Sequence, residues 1–79
     1  MARFKVIVSG VVQGVGFRPF IYQLATQYKL TGNVCNTSGT VDIEVQGDND
    51  SINDFILDIR RKAPPASNIV KIDLTWKSL

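Results

Sequence analysis

The sequence contains no histidine and only one cysteine, Cys35. A Ser-His or Cys-His nucleophilic pair therefore cannot be assembled within it. The usual His/Cys zinc sites are excluded for the same reason, and Cys35 has no partner for an internal disulfide. No apolar run approaches the ~20 residues of a membrane span. The opening Met1-Ala2-Arg3-Phe4 leads straight into strand-like alternation, without the apolar stretch of a secretory signal. Charge of one sign is also scarce: the net value is +2, with nine basic residues scattered among seven acidic ones. Nucleic-acid binders concentrate Lys and Arg on one face instead. These absences predict neither membrane nor nucleic-acid partners, and a cytoplasmic setting. They leave any chemistry to Arg, Asn, carboxylates, hydroxyls and backbone amides.

What is present is enough for one small domain. Across 79 residues, 44% are hydrophobic and 20% charged, which suits a modest core rather than a disordered tail. Phe4–Val11 is β-branched and roughly alternating, and reads as a strand. After Gly14 and Gly16, the residues Phe20, Ile21, Leu24, Ala25 and Tyr28 recur at helical spacing. A helix is predicted from about Pro19 to about Lys29, with proline at its favoured first position and Gly32 ending the unit.

Asn33–Asn36 forms a short second strand and Thr37-Ser38-Gly39 a turn. Val41, Ile43 and Val45 then alternate with Asp42, Glu44 and Gln46, a half-buried strand completing a hairpin. Gly47–Ser51 is turn and N-cap material, with Asp48, Asp50 and Asp54 suited to the positive end of a helix dipole. Ile52, Phe55, Ile56 and Ile59 make one apolar helical face. Arg60-Arg61-Lys62 fits the negative end, and Ala63-Pro64-Pro65 stops the helix. Val70, Ile72, Leu74 and Trp76 alternate with polar residues in a last strand. The order β-α-β-β-α-β predicts an α+β ferredoxin-like sandwich, a four-stranded antiparallel sheet with both helices on one face.

The chemistry concentrates in Gln13-Gly14-Val15-Gly16-Phe17-Arg18, between a strand and a helix N-terminus. Free amides and the helix dipole favour an anion there, and glycines let successive amides curl around it. Arg18 supplies a permanently charged fork matched to phosphate oxygens. A dinucleotide fingerprint is ruled out by Pro19 at the third glycine position, and a P-loop by the missing lysine. The residues alone leave two readings open: an anion site, or a tight turn beside a surface arginine.

Val12-Gln13-Gly14-Val15-Gly16-Phe17-Arg18 resembles the signature of the acylphosphatase family. Gly32-Asn33-Val34-Cys35-Asn36-Thr37, followed by Gly39 and Val41, resembles its second element. The resemblance spans essentially the whole chain. Within the family, Gly16-Phe17-Arg18-Pro19-Phe20, Val34-Cys35-Asn36 and Pro64-Pro65 are most similar to the N-terminal domain of the HypF carbamoyltransferases of hydrogenase maturation. Pro19 and Asn33 depart from the commoner free-standing pattern.

The resemblance implies hydrolysis of an acyl phosphate, carbamoyl phosphate in the HypF setting, by direct attack of water. Arg18 is then the phosphate arginine and Asn36 the residue that positions water, while Gln13, Gly14, Val15, Gly16 and Phe17 act through backbone amides. No metal or other cofactor is called for. The partners implied are the acyl phosphate and, in the HypF setting, further domains of a longer protein of which residues 1–79 are an excised N-terminal part. A free-standing acylphosphatase and a non-catalytic phosphate-binding module are the alternatives. The shared fold also raises RNA recognition, but Asp42, Glu44 and Gln46 lack the aromatic platform it needs. Asn36 also suits a plain turn, and Thr37 suits either the turn or the neighbourhood of the loop. Phe17, Phe20 and Cys35 are expected to be core side chains.

Overall fold

The computed structural model describes residues 1–14 and 16–77. The elements are β1 (Ala2–Val11), α1 (Phe17–Gln27), β2 (Thr31–Thr37), β3 (Thr40–Gly47), α2 (Asn49–Arg61) and β4 (Asn68–Lys77). All sheet pairings are antiparallel, and the strand order is β2-β3-β1-β4. This is the predicted ferredoxin-like sandwich.

Register follows from alternation. Phe4, Val6 and Val8 of β1 lie opposite Val45, Ile43 and Val41 of β3, so the apolar sets of both central strands share one face. That face is sealed by Phe17, Ile21 and Leu24 of α1 and by Ile52, Phe55 and Ile59 of α2, all part of one buried cluster. Full burial of a side chain such as Phe55 stabilises the fold by about 1.5–3 kcal/mol. The other face carries Lys5, Asp42, Glu44 and Gln46, and there Arg3 forms an ion pair with Glu44 at 3.0 Å.

Helix α1 begins at Phe17, two residues before the predicted Pro19. Proline sits in the first turn rather than at its first position, and this costs nothing because first-turn amides have no intrahelical acceptor. The first helical bond runs from the Phe20 amide to the Gly16 carbonyl, 3.3 Å. The helix is ended by Lys29 and not by Gly32. Lys29 is left-handed at φ 58°. The Leu30 amide donates to Ala25 O at 2.9 Å and the Lys29 amide to Thr26 O at 3.0 Å. That pair of bonds is the Schellman closure, with lysine where glycine is usual, and Gly32 lies inside β2.

Helix α2 starts after Asp48, whose carboxylate accepts from the Asp50 amide at 3.2 Å. Arg60 and Arg61 occupy its last turn, as expected. Asp58 is buried and ties α2 to the end of α1: the hydroxyl of Tyr28, the C-cap of α1, donates to it, with Lys62 at 3.4 Å and Arg61 at 3.9 Å. The Tyr28 hydrogen bond, helped by Lys62 and Arg61, holds the Asp58 carboxyl below its usual range despite burial. The same bond, with burial, pushes the Tyr28 phenol up.

Two expectations need correction. Cys35 is exposed, not buried. β2 is an edge strand with only Val34 partly covered, and Cys35 pairs with Asp42 of the polar face. In β4 the alternation holds only in part. Ile72 packs on the core, but Leu74 and Trp76, opposite Val6 and Phe4, are 50% and 65% exposed. The second sheet edge extends past the cover of the helices. A register shift between Ser9 and Gly10 pairs Gly10 with Ile69, so Ile69 packs on the core while Val70 is exposed.

Candidate active site

The loop between β1 and α1 is anchored at its ends by two buried side chains, Val12 and Phe17. Between them Gly14 and Gly16 adopt φ 70° and 76°, the left-handed region open to glycine at little cost. Gly16 is the N-cap of α1 and offers no side-chain cap, and the first turn contains no acidic residue. The positive end of α1 is therefore uncompensated, unlike that of α2 with Asp48 and Asp50. Among the described residues, no side-chain acceptor caps the start of α1.

The predicted residues converge. Val12, Gln13, Gly14, Gly16, Phe17, Arg18 and Pro19 line one open cleft of about 420 Å³, and Asn36 of β2 lines it with them. Val15 lies outside the described residues. Asn36 reaches the cleft through alternation: it pairs with buried Val41 and shares that side of the sheet, whereas Cys35 faces the other way. Cys35 is thereby separated from the cleft despite adjoining Asn36 in sequence.

Arg18 is exposed and makes no ion pair among the described residues. Its charge is not spent on a protein carboxylate. Phe17 contributes its side chain to the core, in edge-to-face contact with Phe20 at 5.6 Å between centroids, so only its backbone is available to a ligand. Phe20 is partly buried against the same core.

Sequence reasoning missed the side chain of Gln13. Its amide nitrogen donates to the carbonyl oxygens of Thr37 and Thr40, the latter at 3.0 Å. It also missed the polar cluster beneath the hairpin. The Thr37 hydroxyl donates to the Thr40 hydroxyl, which donates in turn to Asp42 Oδ1 at 2.9 Å. Thr37 therefore serves the turn through its hydroxyl and meets the loop through its carbonyl. The only sequence signal was two threonines bracketing Ser38-Gly39.

The acylphosphatase family model matches residues 4–79. The chain belongs to the acylphosphatase family. It is 42% identical to the acylphosphatase of Caldivirga maquilingensis over 74 residues, covering 91% of this chain and 77% of that one. Its fold superposes on the crystal structure of the Bacillus subtilis acylphosphatase with a TM-score of 0.94 and 36% identity, over 100% of this chain and 89% of the other. It is also 43% identical over 72 residues to the probable carbamoyltransferase HypF of Methanocaldococcus jannaschii, covering 91% of this chain but 9% of that protein. This acylphosphatase chain thus spans under a tenth of that carbamoyltransferase and most of the free-standing enzymes. No helix among its described residues is long and apolar enough to cross a membrane.

Proposed function

We propose that the chain hydrolyses acyl phosphates, with the Gln13–Arg18 loop holding the phosphoryl group and Asn36 holding the attacking water. The observation that carries this reading is the shared cleft of Arg18, the uncapped start of α1 and Asn36. Backbone amides and the Arg18 guanidinium meet the phosphoryl oxygens, where negative charge is spread during transfer. The Asn36 carboxamide can accept from water and donate to a phosphoryl oxygen together. Water attacks phosphorus in line, the bond from phosphorus to the acyl oxygen breaks, and the carboxylate leaves with its electron pair. A phosphoryl oxygen takes the water proton, so no protein base is required. Positioning and charge stabilisation supply the rate.

The physiological setting we favour is the N-terminal domain of a longer, cytoplasmic carbamoyltransferase of hydrogenase maturation, with carbamoyl phosphate as substrate. The Arg18-Pro19-Phe20 and Val34-Cys35-Asn36 variants support this, as does the similarity to a HypF protein of which this chain covers 9%. The test is steady-state hydrolysis of carbamoyl phosphate and of benzoyl phosphate. Arg18→Ala and Asn36→Ala each lower kcat/KM about 10²–10³-fold, the usual cost of one transition-state donor. Arg18→Lys restores only part of the loss, because it keeps charge without the fork. Unchanged turnover in both alanine variants would end the hydrolytic reading. Preference for benzoyl over carbamoyl phosphate would end the carbamoyltransferase setting while leaving the hydrolase intact.

A further inference from the structure

We infer that the Gln13 side chain is a positioning residue that sets the distance between the phosphate-holding loop and the water-holding Asn36. The inference rests on the hydrolytic reading above. Its basis is the bridge from Gln13 Nε2 to Thr37 O and Thr40 O. These two carbonyls belong to the pair that closes the Ser38-Gly39 turn, and Thr37 is the residue directly after Asn36. The Thr37 carbonyl lies on the Thr37–Ser38 peptide, one residue beyond Asn36, so holding it holds the end of the strand that carries Asn36.

The assignment of the nitrogen follows from the acceptors. Both partners are backbone carbonyls, which only accept, so the carboxamide must present its NH₂ group and spend both hydrogens there. Among the described residues, no other side chain between Val12 and Arg18 makes a hydrogen bond to the rest of the protein.

Packing does not do this work instead. β2 buries almost none of its side chains and is held by its ladder to β3. The loop beside it turns through two left-handed glycines, the residues with most backbone freedom to lose. The exposed stretch of loop between its buried anchors Val12 and Phe17 and the thinly covered end of β2 must meet within hydrogen-bond reach of one phosphoryl group, and one carboxamide ties them. Displacing a reacting group by about 1 Å is enough to cost ~10²-fold in rate.

The experiment is a double-mutant cycle of Gln13→Ala with Asn36→Ala, read as kcat on benzoyl phosphate and as the inhibition constant of inorganic phosphate. Gln13→Ala lowers kcat about 10–100-fold when Asn36 is present. It has little effect on kcat in the Asn36→Ala background, because the water it serves to place is already lost. Phosphate inhibition stays within about threefold of the parent, since the amides and Arg18 remain. Gln13→Met, which keeps the length of the side chain without its donors, gives the same pattern and guards against a cavity effect; thermal melts verify that each variant is folded. An equal fall of kcat in both backgrounds, no fall in either, or a loss confined to phosphate affinity overturns the inference. An Asn36→Ala enzyme with the parent's kcat overturns the water-holding role of Asn36 in the reading above, and is read from a different corner of the cycle.

Discussion

Replacing Gly32 with alanine tests how closely β2 and β3 are apposed. Gly32 pairs with Val45 and has φ +143°, a conformation that L side chains rarely adopt. A Cβ placed there would lie 1.8 Å from the Glu44 carbonyl oxygen and 2.7 Å from its carbon, where real Cβ contacts are essentially never under 3.0 Å. Both atoms belong to backbone, so no side chain can swing away. The strands have to part by more than an ångström, which takes ladder hydrogen bonds beyond their working range.

The backbone strain alone costs roughly 1–2 kcal/mol. Each ladder bond lost adds about 0.5–1.5 kcal/mol. A total near 2–4 kcal/mol lowers Tm by roughly 10–25 °C in a domain of this size. The assay is thermal unfolding followed by circular dichroism, with Gly16→Ala as the paired control. Gly16 has φ +76°, but a methyl group added to it would meet nothing within 4 Å. It therefore incurs only the conformational cost, about 1–2 kcal/mol. A Gly32→Ala protein melting within about 5 °C of the parent, or no lower than Gly16→Ala, refutes the close-approach argument.

The Tyr28–Asp58 bond predicts a stability plateau with two edges. The folded carboxyl of Asp58 titrates below its ordinary value, so its contribution is present above about pH 4 and is lost as pH falls through the folded pKa. The folded phenol of Tyr28 titrates above its ordinary value, so its contribution is present below about pH 10 and is lost as pH rises further. In Tyr28→Phe the melting temperature falls on the plateau and both edges flatten; parallel Tm–pH curves for parent and variant would falsify the linkage. Cys35, exposed and facing away from Asn36, reacts with iodoacetamide in the folded protein, and the alkylated enzyme keeps its hydrolytic rate within about twofold. Protection of Cys35 by inorganic phosphate, or loss of most activity on alkylation, contradicts that geometry.

Much of the fold was legible because it depends on short-range pattern. Period-2 alternation in Val41–Gln46 and the apolar spacing of Ile52, Phe55 and Ile59 fix which faces turn inward, and the order of elements then limits the topology. The anion-binding character of the loop was legible for a related reason: glycines, a helix start and an arginine are adjacent in the chain, so no distant contact is needed to bring them together. The resemblance to acylphosphatases added Asn36, which lies on a separate strand and which no local rule connects to the loop.

Tertiary structure decided everything that depends on who covers whom. Cys35, Leu74 and Trp76 carry the signature of buried strand residues, yet they lie on edge strands that neighbouring elements do not cover. Asp58, on which the sequence offered no reading, is buried in α2 and accepts from Tyr28 at the C-terminal cap of α1. Gln13 reads as one more residue of a glycine loop. Its bond to Thr37 and Thr40 exists because folding carries the hairpin turn to the mouth of that loop. Periodicity determines the face on which a side chain lies; what meets it there is a property of distant segments, and only the assembled chain decides it.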